Sequence, residues 1–129
     1  EEDDGGYAGV ALKFIETAQS GTKGTMIMCI PNDGSIDGLR NDDVVEITCD
    51  VDKNGCTPHR IGKVDEQNLE LIRRVKNYER LSSKAIRERS RSAAIQALTL
   101  HPLVNSYSIA VKLVDEFIEH NKNYCGGWK

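Results

Sequence analysis

The sequence predicts an α+β domain whose order is an N-terminal helix, a small mainly antiparallel sheet, then C-terminal helices. Three observations carry this reading. From Asn68 to Asn105 the apolar residues recur at three- and four-residue steps, the period of one helix face. Asp42 to Val51 alternates strictly, the period of a half-buried strand. Two turn clusters, Pro31-Asn32-Asp33-Gly34 and Asp52-Lys53-Asn54-Gly55, bound the strand-like runs. The chain has no internal repeat and no low-complexity segment.

At 129 residues the chain is long enough for a real core. Aromatics are only 5% of it, so that core must rest on Val, Ile, Leu and Ala. No apolar run approaches the roughly 20 residues that span a bilayer. The acidic start EEDDGG is the reverse of a signal peptide's basic opening. A cytoplasmic protein with no membrane partner is therefore expected. Charge is uneven: residues 1–64 hold 12 acids and 6 bases, residues 65–129 hold 8 acids and 11 bases. The basic half invites a nucleic-acid reading. Glu70, Glu79 and Glu88 interrupt it, however, and Tyr78 fits the apolar face. A solvated helix face or an intersubunit surface is the better reading, with no nucleic acid.

Taken in order, Glu1–Gly6 reads as a frayed entry. A helix over 7–19 places Val10, Phe14 and Ile15, with Tyr7, Ala11 and Ala18, on one face. Gly21 lies just beyond, where a left-handed cap is cheapest for glycine. Thr25–Ile30 is short and apolar and reads as a buried strand, 25–30. The strand over 43–51 turns Val45, Ile47, Cys49 and Val51 to one side, and Val44, Glu46, Thr48 and Asp50 to the other. Asn54-Gly55 suits a type I′ hairpin turn. A return strand over 56–61 follows, confined to an edge by Pro58.

Asp65 is placed to cap the next helix. In the long stripe Leu69, Leu71, Ile72, Val75, Tyr78 and Leu81 are followed by Ala85, Ile86, Ala94, Ile95, Leu98 and Leu100. Ser82-Ser83 and Ser90-Arg91-Ser92 divide the stripe, giving helices over 65–80 and 83–100 that stop at Pro102. Asn105 or Ser106 caps a last helix over 106–123, with Ile109, Val111, Leu113, Val114, Phe117 and Ile118 apolar. Residues 125–129 read as a tail.

The chemical inventory is thin. His59, His101 and His120 are far apart and lack ligand spacing. His101, before Pro102, suits a structural hydrogen bond. Asp42-Asp43 and Asp50/Asp52 are acidic pairs at strand ends, the usual place for solvated turn residues. Ser82-Ser83 has no G-x-S-x-G elbow around it. Gly34 and Gly38 do not make a G-x-G-x-x-G. Cys29, Cys49, Cys56 and Cys125 show no C-x-x-C spacing, so reduced thiols are expected, with a Cys29–Cys49 bridge as the alternative if their strands pair.

Three collinear blocks resemble the C-terminal part of glycoside hydrolase family 4, particularly its 6-phospho-β-glucosidases. Asn32-Asp33-Gly34-Ser35-Ile36-Asp37-Gly38-Leu39, followed by Asp42-Asp43-Val44-Val45-Glu46-Ile47, is similar to an N-x-G-x-I-x-x-L-x-x-D-x-x-V-E-V segment. Val75-Lys76-Asn77-Tyr78-Glu79-Arg80-Leu81 is similar to a K-x-Y-E-x-L helix. Ala97-Leu98-Thr99-Leu100-His101-Pro102-Leu103-Val104 is similar to an A-L-x-x-H/N-P-L-V run. Gly5-Gly6-Tyr7 and Gly62-Lys63 fall where members also have glycine-bearing turns. The resemblance extends the fold expectation to the C-terminal domain shared by these glycosidases and lactate dehydrogenase.

Its implications reach well beyond these residues. Members carry an upstream NAD-binding domain and a divalent metal, usually manganese, held by a Cys and a His. Oxidation of the sugar 3-hydroxyl acidifies the neighbouring C–H, and the aglycone leaves by elimination, outside the two-carboxylate pattern. The glycine fingerprint, the C-N-x-P metal segment, the ligand His and the catalytic Tyr belong upstream of Glu1. Cys29-Ile30-Pro31-Asn32 has the wrong order for that metal segment, and Tyr7 is not the catalytic Tyr. No catalytic, cofactor-binding or metal residue is therefore assigned to this chain.

The expectation is a single C-terminal domain fragment, 1–129, frayed at 1–6 and 125–129 and inactive alone. The parent enzyme is expected to hydrolyse phosphorylated glucosides, a phosphorylated disaccharide among them, as a homodimer or homotetramer. An apolar surface should be left open where the upstream NAD-binding domain sits. The alternatives are a non-catalytic binding or assembly module, or a member acting on 6-phospho-α-glucosides or α-galacturonides and galactosides.

Overall fold

A computed structural model describes residues 6–129, so Gly5 and all but the last residue of the stretch 1–6 expected to fray lie outside the described residues. The chain divides after Val64 into two compact units. The element order is α+β, as the pattern predicts: α1 (Gly6–Ser20), β1 (Gly24–Pro31), β2 (Val44–Asp52), β3 (Gly55–Pro58), α2 (Glu66–Glu88), α3 (Arg91–Leu100) and α4 (Tyr107–His120).

In the first unit the three strands form an antiparallel sheet in the order β1-β2-β3. The alternation of β2 is realised: Val45, Ile47, Cys49 and Val51 are buried, while Val44 and Glu46 are exposed. Ile36 joins Val45, Ile47 and Cys49 in a core against which Met28, Ile30, Leu39, Cys56 and Val64 pack. Gly21, with φ +73°, ends α1 in the left-handed conformation expected of it.

Four readings of this unit need correction. β1 is not a buried strand. It lies at the sheet edge, where Met26 is its one buried residue and Ile27 and Cys29 are exposed, because nothing in this unit covers its second face. The Cys29–Cys49 bridge is excluded by register. Cys49 pairs with Met26 and Cys29 with Glu46, so the two thiols point to opposite faces. The hairpin forms, but its turn is not type I′, which needs positive φ at both central residues. Asp52 and Gly55 are paired, positive φ falls on Gly55 and on neither Lys53 nor Asn54, and Asp52 Oδ1 accepts the Asn54 N–H at 2.7 Å. That side-chain turn replaces the expected geometry. β3 also stops at Pro58 and not at 61, since Ile61 and Gly62 give their N–H groups to Ser35 O, at 2.9 Å each, and leave the sheet.

In the second unit Asp65 caps α2, its Oδ2 accepting the Gln67 N–H at 3.1 Å. The helix then runs unbroken through Ser82-Ser83, contrary to the expected division at that point. Serine in a helix costs only roughly 0.5 kcal/mol relative to alanine and forms no stop by itself. The division comes at the second serine cluster. Arg89 takes φ +51°, and the Ser90 hydroxyl accepts the Ala93 N–H at 3.3 Å to start α3. Ser106, not Asn105, caps α4.

The long stripe of α2 is mostly half-exposed, with Ala85 its one buried residue. The core of this unit is instead carried by short, alanine-rich α3. Ile95 meets Ala110 and Val114 of α4, with Leu98, Val104 and Ile118 packed around them. The tail is not frayed as expected. Arg91 donates its N–H to Lys129 O, and Lys129 donates to Arg89 O, both at 2.8 Å, which ties the chain end to the α2–α3 joint. No helix among the described residues is long and apolar enough to cross a membrane.

Candidate functional site

Several of the residues weighed for chemistry in the sequence are engaged in local structure. Of the pair Asp42-Asp43, Asp43 is buried and accepts the Arg40 N–H at 3.0 Å. Asp42 is exposed and takes the Arg40 guanidinium in a two-pronged bond of 3.0 and 3.1 Å. One backbone position thus splits the two carboxylates between two tasks. Asp50 accepts from the Thr25 hydroxyl at 3.3 Å and lies 2.9 Å from His59 Nε2. The His59 hydrogen bond holds the Asp50 carboxyl below the usual carboxylate range against the opposing effect of desolvation. Asp52 is spent on the hairpin turn.

His101 does what its place before Pro102 suggests. It ends α3, its Nδ1 accepts the Leu103 N–H at 3.2 Å, and its ring stands edge-on to Tyr78 with centroids 4.5 Å apart. His120 closes the last turn of α4. Ser82 and Ser83 are interior to α2. Gly34 and Gly38, with φ +80° and +85°, shape the turn between β1 and β2 and do not open a helix. Among the described residues no group of three or more His, Cys, Asp or Glu is placed to hold a metal ion.

Sequence reasoning missed Asn32, which it read only as a turn residue. Its side chain is fully buried and bonds both main-chain groups of Ile36. The signal available was the tight spacing between Asn32 and Gly34, which forces the chain to double back toward its own carboxamide. Cys49 is likewise fully buried. Burial pushes its thiol up, assisted by Cys56 and Asp50.

The second unit carries an open apolar groove of about 320 Å³. Tyr78, Ile86, Leu98, Phe117 and Trp128 line it, with Ser82, Asn121 and Cys125 as its few polar groups. It holds no carboxylate, imidazole or cationic side chain, so it can pack apolar matter but cannot move a proton at neutral pH by a carboxylate–imidazole device. Trp128 reaches it because the Lys129 main chain is anchored beside Arg89 and Arg91.

The profile of a family described as the family 4 glycosyl hydrolase C-terminal domain matches residues 1–104. The chain is 36% identical to the maltose-6'-phosphate glucosidase MalH of Clostridium acetobutylicum over 92% of its own length. It is 35% identical to the 6-phospho-beta-glucosidase BglT of Thermotoga maritima, again over 92% of its length. The chain spans only 27% and 28% of these two relatives. Among solved structures it is similar to a 6-phospho-alpha-glucosidase from gut microorganisms in complex with NAD and glucose-6-phosphate, with TM-score 0.88 and 30% identity. That match covers 95% of this chain and 28% of the other. It is also similar to the T. maritima 6-phospho-beta glucosidase with manganese, NAD+ and glucose-6-phosphate. There the TM-score is 0.83 and the identity 34%, covering 92% of this chain and 30% of the other.

Proposed function

The chain belongs to glycosyl hydrolase family 4, and from that premise we propose that it is the C-terminal, structural part of a longer 6-phosphoglucosidase. One observation carries the reading: a match over nearly its whole length to relatives of which it makes up about a quarter. The parent chain acts on 6-phosphoglucosides with NAD and a divalent metal, manganese first among them. Both β- and α-linked substrates are to be tested, since relatives named for each linkage are similar to the chain, at 35% and 30% identity.

The described residues do not fit either cofactor. They offer no metal-holding cluster, and no strand leads through a G-x-G-x-x-G turn into a helix start that would receive a pyrophosphate. NAD and metal binding are therefore assigned to the rest of the polypeptide. This chain contributes packing surface and subunit contacts in a homodimer or homotetramer.

The test compares the full reading frame with the 129-residue chain. Each is assayed with NAD, manganese and reductant on chromogenic 6-phospho-β- and 6-phospho-α-glucosides. The full protein is expected to release the aglycone and the short chain to release none. Turnover by the short chain alone would overturn the assignment of all chemistry to the remainder. A full protein that binds NAD but ignores both phosphorylated glucosides would move the substrate to another branch of the family.

A further inference from the structure

The first half of α1, Gly6–Lys13, is a helix with no polar face. Its sequence is GYAGVALK, in which Lys13 is the one charge. Tyr7 is 98% exposed, Val10 57% and Leu12 60%. The second half behaves differently. Thr17 is buried, Phe14 and Ala18 are half-buried, and a methyl group added at Gly24 of β1 would meet Thr17 at 3.0 Å and Met26 at 3.5 Å. Only this second half is seated on the sheet of its unit. The first half carries about 12 Å of helix with apolar side chains all round. A helix of that kind is stable only when something covers it, because in water it has neither a buried stripe nor side-chain pairs to hold it.

The comparisons indicate what covers it. The match is to a C-terminal domain, and the relatives hold roughly three-quarters of their length outside it. In such a chain the polypeptide immediately upstream of Glu1 is tethered a few residues from Tyr7. A tether that short gives an effective concentration on the order of millimolar, well above that of any separate partner. We propose that the Gly6–Lys13 half of α1 is the seat on which the upstream part of the parent polypeptide packs, wrapping the helix so that Val10 and Leu12, on its opposite sides, are both covered. The proposal rests on the reading of this chain as part of a longer enzyme and goes beyond it by naming the surface.

The experiment uses the full-length protein. Val10→Cys and Leu12→Cys variants are labelled with a maleimide under native conditions, beside a Lys53→Cys control on the exposed hairpin turn. Labelling is read peptide by peptide by mass spectrometry, so the native cysteines do not interfere. Labelling at positions 10 and 12 should be slower than at 53 by roughly tenfold or more and independent of protein concentration. In the unmodified protein, amide exchange over Gly6–Lys13 should be as slow as over Arg91–Leu100, which keeps the test valid if a variant fails to fold.

Equal labelling at all three positions, or fast exchange over Gly6–Lys13, would overturn the proposal. Protection that grows with protein concentration would overturn it as well, by assigning the face to a second copy. Turnover is measured on the same samples. Protection without turnover upholds the packing surface and sinks the proposed activity, and turnover without protection does the reverse.

Discussion

The carboxamide of Asn32 closes on both main-chain groups of Ile36. Its Oδ1 accepts the Ile36 N–H at 2.8 Å, and its Nδ2 donates to Ile36 O at 3.1 Å. The pair acts as one rung of a sheet built from a side chain. It turns Ile36 into the core beside Val45 and Ile47, and lets residue 36 bridge to Gly62. Asn32→Ala leaves two buried polar groups unpaired, each costing about 1–3 kcal/mol. The variant should lose about 2–4 kcal/mol in urea unfolding. Asn32→Asp keeps the acceptor but sets a carboxylate against the Ile36 carbonyl, and should recover little of the loss. Neutral behaviour of Asn32→Ala in amide exchange across β2 would show that the clamp does not hold this unit together.

A second prediction separates the core from the stripe. Ile95 is 3% exposed and packs on Ala110 and Val114, whereas Ile86, in the same apolar period, is 67% exposed. Ile95→Ala should cost about 2–4 kcal/mol by transfer and cavity terms together. Ile86→Ala in the same chain should stay within about 0.5 kcal/mol. Thermal and urea melts of the two variants decide it, and equal losses would mean that Ile86 is covered in solution.

The thiols should react in a set order. All four are free, with Cys29 and Cys125 exposed, Cys56 partly covered and Cys49 fully buried. A disulfide-exchange reagent should therefore reach Cys29 and Cys125 first. Cys49 should react last, both because it is shielded and because burial holds its thiol protonated. In denaturant without reductant, four thiols should titrate. A count of two would point to a bridge that the register of β1 and β2 does not allow.

Two carboxylates give the acid limb of stability its shape. Asp50 is held low by its hydrogen bond to His59, and Asp115 by the guanidinium of Arg91, whose Nε and Nη2 donate at 2.6 and 2.8 Å. Both carboxyls titrate lower folded than unfolded. Their stabilisation is thus complete above the unfolded carboxylate value, near pH 4, and is lost as pH falls through the folded values. Both are solvent-exposed, so the effect should be small and weakened by salt. Asp115→Asn should flatten the loss of stability below pH 4, and carboxyl titration by NMR should show both groups depressed. An Asp115 titrating at the ordinary value would mean that the Arg91 pair is not formed in solution.

The period of two in Asp42–Val51, the period of three to four from Asn68, and the turn and cap residues at Gly21, Asp65 and Ser106 determined the elements and their order. These signals act over about four residues, within reach of one turn or one strand step. The three family blocks are each contiguous, within one element and the turn beside it, which is why membership was legible without a structure. Other features needed partners that no local pattern names. Whether β1 is buried depends on what covers its second face, and whether α2 or α3 carries the core depends on where α4 lands. The tail is ordered because Lys129 meets Arg89 and Arg91, residues far from it in the chain. Hydrogen bonds and apolar contacts between distant segments are satisfied only once the chain has closed on itself. The same sequence period therefore left Ile86 in solvent and put Ile95 in the core, and only the tertiary structure could decide between them.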